Sequence, residues 1–527
     1  MTPFTGTRAL ARLALRLDRV RLTVWVLAIA LMPAATAAQY QKLYPTEQSL
    51  QQVRGVISNP SLVALNGPLF GVSLGGLTAW KIGATDLILV ALMSVLTVVR
   101  HTRTEEETGR SELIAAGVVG RYAPLTAALQ VTGLANLAIV ALLALGLIGT
   151  GLPAAGSVAF GLAIGVAGLV FAAVAAAAAQ LTESARSATG IAAAVLGASY
   201  LLRAVGDTGP TWLTWLSPIG WAMRLRAFAG EQWWVLGLAA ALAAVFTAAA
   251  YTLAGRRDLG AGVLPQRPGP AQASPGLRST LALAWRLHRG ILIGWVIGMA
   301  LTGAALGGAA AAIGGMVGTN TQMNDLLARM GGHSGLVNAY LAAALGITGL
   351  VAATYTVQAT LRLRAEETSG RVEPLLATGV GRSRWALSHL VFAFLGTAVL
   401  LAAAGAGAGL AYGLQIHDVS GQVSRLLAGA LVQLPAAWVL AGLGAALFGL
   451  APRLAALAWA ALIACLLLLE LGALLGLSQW LVDVSPFAHV PKLPGAAFTA
   501  TPLLWLTGIA VALAAAGLAG FRRRDIG

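Results

Sequence analysis

RTEEETGRSELIAAGVVGR, residues 103–121, returns as RAEETSGRVEPLLATGVGR at residues 364–382. Both stretches are dense in charge, in a chain where charged residues are only 10% and hydrophobic residues 58% of the total. Aligned, Glu105, Glu106, Arg110 and Glu112 fall on Glu366, Glu367, Arg371 and Glu373. A merely solvated loop has no reason to keep carboxylates in register. A docking surface does, because charged pairs fix register and partner choice. Read as helix, Glu106–Arg110 and Glu367–Arg371 are i,i+4 pairs in the stabilising orientation. Glu105 and Glu112 then share a face, as do Glu366 and Glu373. Gly117 and Gly120, or Gly379 and Gly381, are expected to end the helix. The copies are not identical: Glu107 becomes Thr368, and Pro374 is expected to kink the second helix by removing a backbone donor.

Around these phrases the chain is oily, with a mean hydropathy of +0.80. Apolar runs of about 20 residues recur, the length that spans a bilayer. They do not alternate as the strands of an outer-membrane barrel would. The expected class is an all-α polytopic membrane protein with about twelve transmembrane helices. The spans are expected near 22–39, 83–100, 123–149, 155–181, 187–205, 233–254, 290–314, 339–361, 385–412, 426–450, 454–475 and 503–521. The net charge of +15 comes from arginines grouped before the first span, between the sixth and seventh, and after the last. All three groups fall on one side, which the positive-inside rule makes the cytoplasm, with both termini inside. Nucleic-acid binding is not needed to explain the charge.

The duplication extends beyond the two phrases. Arg16, Leu17, Arg19 and Trp25 recur at the same spacing as Arg286, Leu287, Arg289 and Trp295. A segment resembling a signal peptide has no use in mid-chain, so both copies are expected to be amphipathic segments leading into retained helices. Trp212-Leu213 with Ser217-Pro218 matches Trp480-Leu481 with Ser485-Pro486, and Arg256-Arg257-Asp258 matches Arg523-Arg524-Asp525. Matches in one order, half a chain apart, indicate an internal repeat. The expected organisation is a six-span half at 1–259, a cytoplasmic Pro/Gly-rich linker at 260–276 and a second six-span half at 277–527. An even number of spans makes the two halves parallel repeats.

The phrase E-E-x-x-G-R-x-E after the second span, within two six-span halves, resembles the permease subunits of ABC-2 type exporters. The resemblance covers essentially the whole chain, and the most similar group is the actinobacterial polyketide-antibiotic (tetronasin-type) and multidrug exporters. It implies a type V exporter-like fold in a bacterial cell membrane, extruding hydrophobic small molecules. It implies connecting helices that include Arg16, Arg19, Arg286 and Arg289. It implies coupling helices that include Glu105, Glu106, Arg110 and Glu112, and Glu366, Glu367, Arg371 and Glu373. The Ser217-Pro218 and Ser485-Pro486 stretches become short re-entrant outer elements. No G-x-x-x-x-G-K-[ST] occurs, and none of the three lysines has that setting. A phosphate cradle needs that loop and lysine. ATP and Mg are therefore expected on a separate ABC ATPase subunit, in two copies, with no cofactor on this chain.

Charged residues inside spans are functional candidates. Arg203 in span five and Glu470 in span eleven lie at similar depths of the two halves. Three readings stand: a pair across the halves, Arg203 reaching outward with Glu470 bonding locally, or a role with substrate or protons. Asp86 is expected at the membrane interface, at the start of span two. His389 and His417 stand alone, Cys465 is the sole cysteine, and no HExxH or Cys/His cluster appears. Metal binding and catalysis are not expected. Rival functions are a proton-coupled transporter of the major facilitator type, an ABC-2 exporter of lipid or polysaccharide, and a membrane enzyme acting on lipid. The loop motif G-x-x-x-D-[RK]-x-G-R-[RK] of the first is missing here.

Overall fold

Each apolar run becomes a helix, because in lipid every backbone polar group must be satisfied within its own segment. The computed structural model describes residues 2–45, 49–50, 60–258, 260–264, 271–316, 332–471 and 478–525. Among these there is no strand, and eleven helices are long and apolar enough to cross a membrane. The chain is a multi-pass, all-helical membrane protein of two compact units, Met1–Gly269 and Pro270–Gly527.

The first unit contains Arg19–Leu43, Leu74–Val99, Ala123–Gly149, Ala154–Leu181, Ala185–Thr208 and Trp234–Ala254. Ala154–Leu181 is its axis and packs against four of the other five. Its stretch from Ala172 to Ala179 is alanine apart from Val174, and every residue there is buried. Small side chains let neighbouring backbones approach from all sides, and a helix apolar all round belongs inside.

The second unit contains Thr280–Met316, Gly332–Thr368, Arg382–Ile416, Val419–Leu431 with Leu434–Leu450, and Ala500–Arg523. The expected eleventh span is the shorter apolar helix Leu457–Leu471, and residues 472–477 lie outside the described residues. Here the run of alanine and glycine from Ala402 to Gly409 is a packing face. A Cβ added at Gly303 would stand 2.0 Å from the Ala404 carbonyl oxygen, and one at Gly307 would stand 2.2 Å from that of Ala408. Only glycine permits that approach between Thr280–Met316 and Arg382–Ile416.

Three sequence expectations change. Thr7–Leu17 is a separate helix that turns at Asp18, but its counterpart containing Arg286 is continuous with the span in Thr280–Met316. The difference centres on Asp18 and its partners. Asp18 is buried and pairs with Arg100 at 3.0 Å and His101 at 2.8 Å, which draws the chain into a bend. His288 takes its place in the second copy. It meets His389 at 3.0 Å, so His389 is not alone, and the helix runs straight through. Among the described residues no group of three metal ligands forms.

Asp86 is not at an interface. The helix begins at Leu74, where Ser73 accepts a capping hydrogen bond from the Gly76 amide, rather than at 83. Asp86 is therefore midway along the span, fully buried, with no hydrogen-bond partner on either carboxylate oxygen. A buried acceptor left unmade costs about 1–3 kcal/mol. Asp86→Leu is expected to raise the thermal unfolding midpoint of the purified chain. A lowered midpoint would show that the carboxylate is compensated.

Candidate functional site

Leu74–Val99 does not stop at the end of its apolar run. It passes through a π turn, Arg100–Thr104, into Glu105–Glu107. Gly109 then takes φ 73°, and a second short helix, Arg110–Ala115, follows. Gly370 does the same at φ 69°, between Gly332–Thr368 and Val372–Leu376. Glycine populates this left-handed region without steric cost. Each phrase is thus a helix end, a sharp turn and a helical stub, not the single helix expected.

The turn changes the pairing. Glu106 does not meet Arg110; instead Arg110 lies 3.3 Å from Glu105, and Arg371 lies 3.4 Å from Glu366. Glu106 turns inward and accepts from Arg103 at 2.7 Å and from both terminal nitrogens of Arg257 at 2.6 and 2.8 Å. Glu367 repeats this with Arg364 at 3.1 Å and Arg524 at 2.6 and 2.9 Å. Two-pronged guanidinium–carboxylate bonds of this kind are strong and directional. Arg103 is fully buried and also donates through Nε to the Ala179 carbonyl at 3.0 Å, and Arg257 Nε donates to Gln180 at 2.7 Å. Arg121 donates to the carbonyls of Ala254 and Arg257, and Arg382 donates to those of Arg522 and Arg524.

Each phrase is therefore a clasp. It fastens the loop after the unit's second span to the residues that follow its last span. Arg257 and Arg524 were visible in the sequence as a repeated Arg-Arg-Asp, but nothing in spacing alone joined them to Glu106 and Glu367. What the clasp leaves outward is narrower than expected. Arg110 and Arg371 are about two-thirds exposed, Glu112 and Glu373 are exposed, and Leu113 is 79% exposed. Pro374 does not kink its stub. It is the third residue of Val372–Leu376, where the backbone N–H has no intrahelical partner to lose. Arg16, Arg19, Arg286 and Arg289 are all exposed.

Arg203 belongs to a second network. It is fully buried and so does not reach outward. Its guanidinium donates to the carbonyls of Val63 at 3.3 Å and Leu65 at 3.1 Å, lies 4.4 Å from the Tyr200 ring centre and is 3.8 Å from Asp207. Asp207 accepts from Arg224 at 3.0 Å and from the Thr214 hydroxyl at 3.0 Å. All of these partners lie in the first unit. The side chain of Glu470 falls outside the described residues. The sequence signal for Asp207 is its i,i+4 spacing from Arg203.

Comparison with known proteins gives two matches. A family model described as multidrug efflux system permease Rv1217c, C-terminal domain, matches residues 277–522. Multidrug efflux system permease protein Rv1217c of Mycobacterium tuberculosis is 47% identical over 526 residues, covering 99% of this chain and 96% of that protein.

Proposed function

This chain belongs to the family of multidrug efflux system permeases, and on that premise we propose that it is the membrane subunit of an ATP-driven exporter of hydrophobic small molecules, of the ABC-2 type. The observation that carries the reading is the duplicated clasp. A loop that served only as a connection would not need its carboxylate bonded to arginines from two separate parts of its unit, twice over. A loop that must transmit force would.

The residues divide the work as follows. Arg110, Glu112 and Leu113 in one unit, and Arg371, Glu373 and Pro374 in the other, form the outward surface on which a separate ATPase subunit bears. One copy sits under each unit, and ATP and Mg reside there. Glu106 and Glu367 then pass the displacement inward. Through Arg257 and Arg524 they move the end of the last span. Through the continuous backbone they move the second and third spans. Three helices per unit shift together, and the bundle rocks between states that open inward and outward. The arginine groups support a reading with the phrase end, and both termini, at the cytoplasmic face of the bacterial cell membrane.

The test uses inverted membrane vesicles containing the chain and its ATPase. ATP is expected to drive accumulation of a hydrophobic dye, and a Walker A lysine substitution in the ATPase is expected to stop it. Accumulation driven by an imposed pH gradient without ATP would favour the proton-coupled rival.

A further inference from the structure

The duplication supplies an internal control, because the two units differ in what fills the space behind the clasp. In the second unit Val372, Trp385, His389 and Phe521 are each at most 2% exposed. The Trp385 ring lies 5.6 Å from Phe521 and 5.2 Å from His389, and Phe448 closes the cluster at 5.1 Å from Phe521. The space is plugged with aromatic rings. Aligning the two phrases, and Arg256-Arg257 with Arg523-Arg524, puts Ser111, Pro124, Ala128 and Ala254 at the corresponding positions of the first unit. All four line a cavity of about 320 Å³. Such a volume falls in the range of small-molecule sites, roughly 300–1,000 Å³.

The cavity has two kinds of wall. Leu10, Leu13 and Leu17 of Thr7–Leu17, with Leu125, make one side apolar. On the other, Ser111 is 9% exposed and its hydroxyl has no hydrogen-bond partner. Native proteins rarely leave such a group unmade. The charged lining residues are mixed in sign: Glu105 and Glu106 are already bonded to arginines, and Arg121 and Asp258 are of opposite sign.

We propose that this cavity binds an uncharged amphiphile, its apolar body against Leu10, Leu13 and Leu17 and its polar end on the Ser111 hydroxyl. The second unit, with Val372 and three rings in the same place, binds none. The cavity shares Glu106 and Arg257 with the clasp. On the efflux reading, which this inference rests on for its purpose, occupancy reports a loaded transporter at the element the ATPase pushes. The bound molecule is either a solute awaiting export or a membrane lipid, and the two share this chemistry.

The experiment titrates dansylamide, an uncharged fluorescent amphiphile, into the purified full chain in detergent. Wild type is expected to bind saturably. Ala254→Phe and Ala128→Leu, which import bulk, are expected to weaken binding about tenfold or more, equivalent to about 1.4 kcal/mol. Ser111→Val, which copies the second unit, is expected to weaken it about threefold or more. Two bulk variants are used so that one misfolded protein does not end the test. Phospholipid that co-purifies with wild type and is lost in the bulk variants identifies the occupant as lipid. Dansylamide binding without lipid displacement identifies a solute. Equal affinity in wild type and in bulk variants of unchanged melting temperature overturns the proposal. No ATP or ATPase is present, so failure here is distinct from failure of the efflux reading.

Discussion

Glu106→Ala and Glu367→Ala are each expected to abolish export and to lower the unfolding midpoint of the purified chain. In the first clasp the side chains of Arg103, Glu106 and Arg257 are 0%, 11% and 10% exposed. Removing the carboxylate leaves two guanidinium groups facing each other with their shared counter-charge gone. Breaking a buried pair by deleting one partner costs about 3–5 kcal/mol, most of it from the stranded charge. The second clasp adds the Arg524 guanidinium stacked 4.9 Å over Phe448 and 5.1 Å over Phe521, so its loss also loosens an aromatic cluster. Stability alone does not prove coupling, and two further variants separate the effects. Exchanging the charges, Glu106→Arg with Arg257→Glu, is expected to recover part of the midpoint, because directly bonded residues show coupling of about 0.5–3 kcal/mol. Glu112→Ala with Glu373→Ala, at exposed positions, is expected to leave the midpoint unchanged and still reduce ATP-dependent export. A Glu106→Ala chain with an unaltered midpoint would contradict the clasp.

Asp207→Ala is expected to cost about as much again, roughly 3–5 kcal/mol, at the other network. The Asp207 side chain is 1% exposed and is the carboxylate that both Arg203 and Arg224 face. Arg203 keeps its bonds to the carbonyls of Val63 and Leu65, but the charge is uncompensated. Carbonyl dipoles do not replace an anion in a low-dielectric surrounding. Thr214 also loses its acceptor, which loosens Thr211–Leu216 from Ala185–Thr208. The check is thermal unfolding of the variant beside Asp207→Glu, which keeps the charge and is expected to lose far less. Equal midpoints for Asp207→Ala and wild type would show that Arg203 has another counter-charge.

The legible part of this molecule is the part set by long-range periodicity. Apolar runs located the helices. The exchange of charge partners was not legible, for a local reason. Gly109 and Gly370 look in the sequence like ordinary positions within a helix, and one left-handed residue is enough to redirect every i,i+4 pair that spans it. Glu106 and Glu367 consequently face inward, where unbroken helical spacing would offer them to a partner. One partner of each is local, Arg103 or Arg364, but Arg257 and Arg524 lie more than 150 residues away along the chain, and no local pattern encodes such a contact. The Arg-Arg-Asp repeat was a sufficient clue only when combined with the fold. Asp86 failed differently: its span starts at Leu74, so a residue placed at an edge became a residue at the centre. The cavity behind the first clasp depends on the sizes of side chains from four separate segments, and it becomes readable only when the two copies are superimposed on one clasp.

The proposed coupling requires the outward faces of the two stubs to bear on a separate ATPase. The direct measurement places the photo-crosslinking amino acid p-benzoylphenylalanine at Leu113 and, separately, at Pro374, in membranes that carry out ATP-dependent efflux. Irradiation is expected to join each position to a nucleotide-binding subunit, with a yield that changes when ATP is replaced by a non-hydrolysable analogue. Actively exporting membranes in which neither position ever crosslinks to a nucleotide-binding subunit would contradict it.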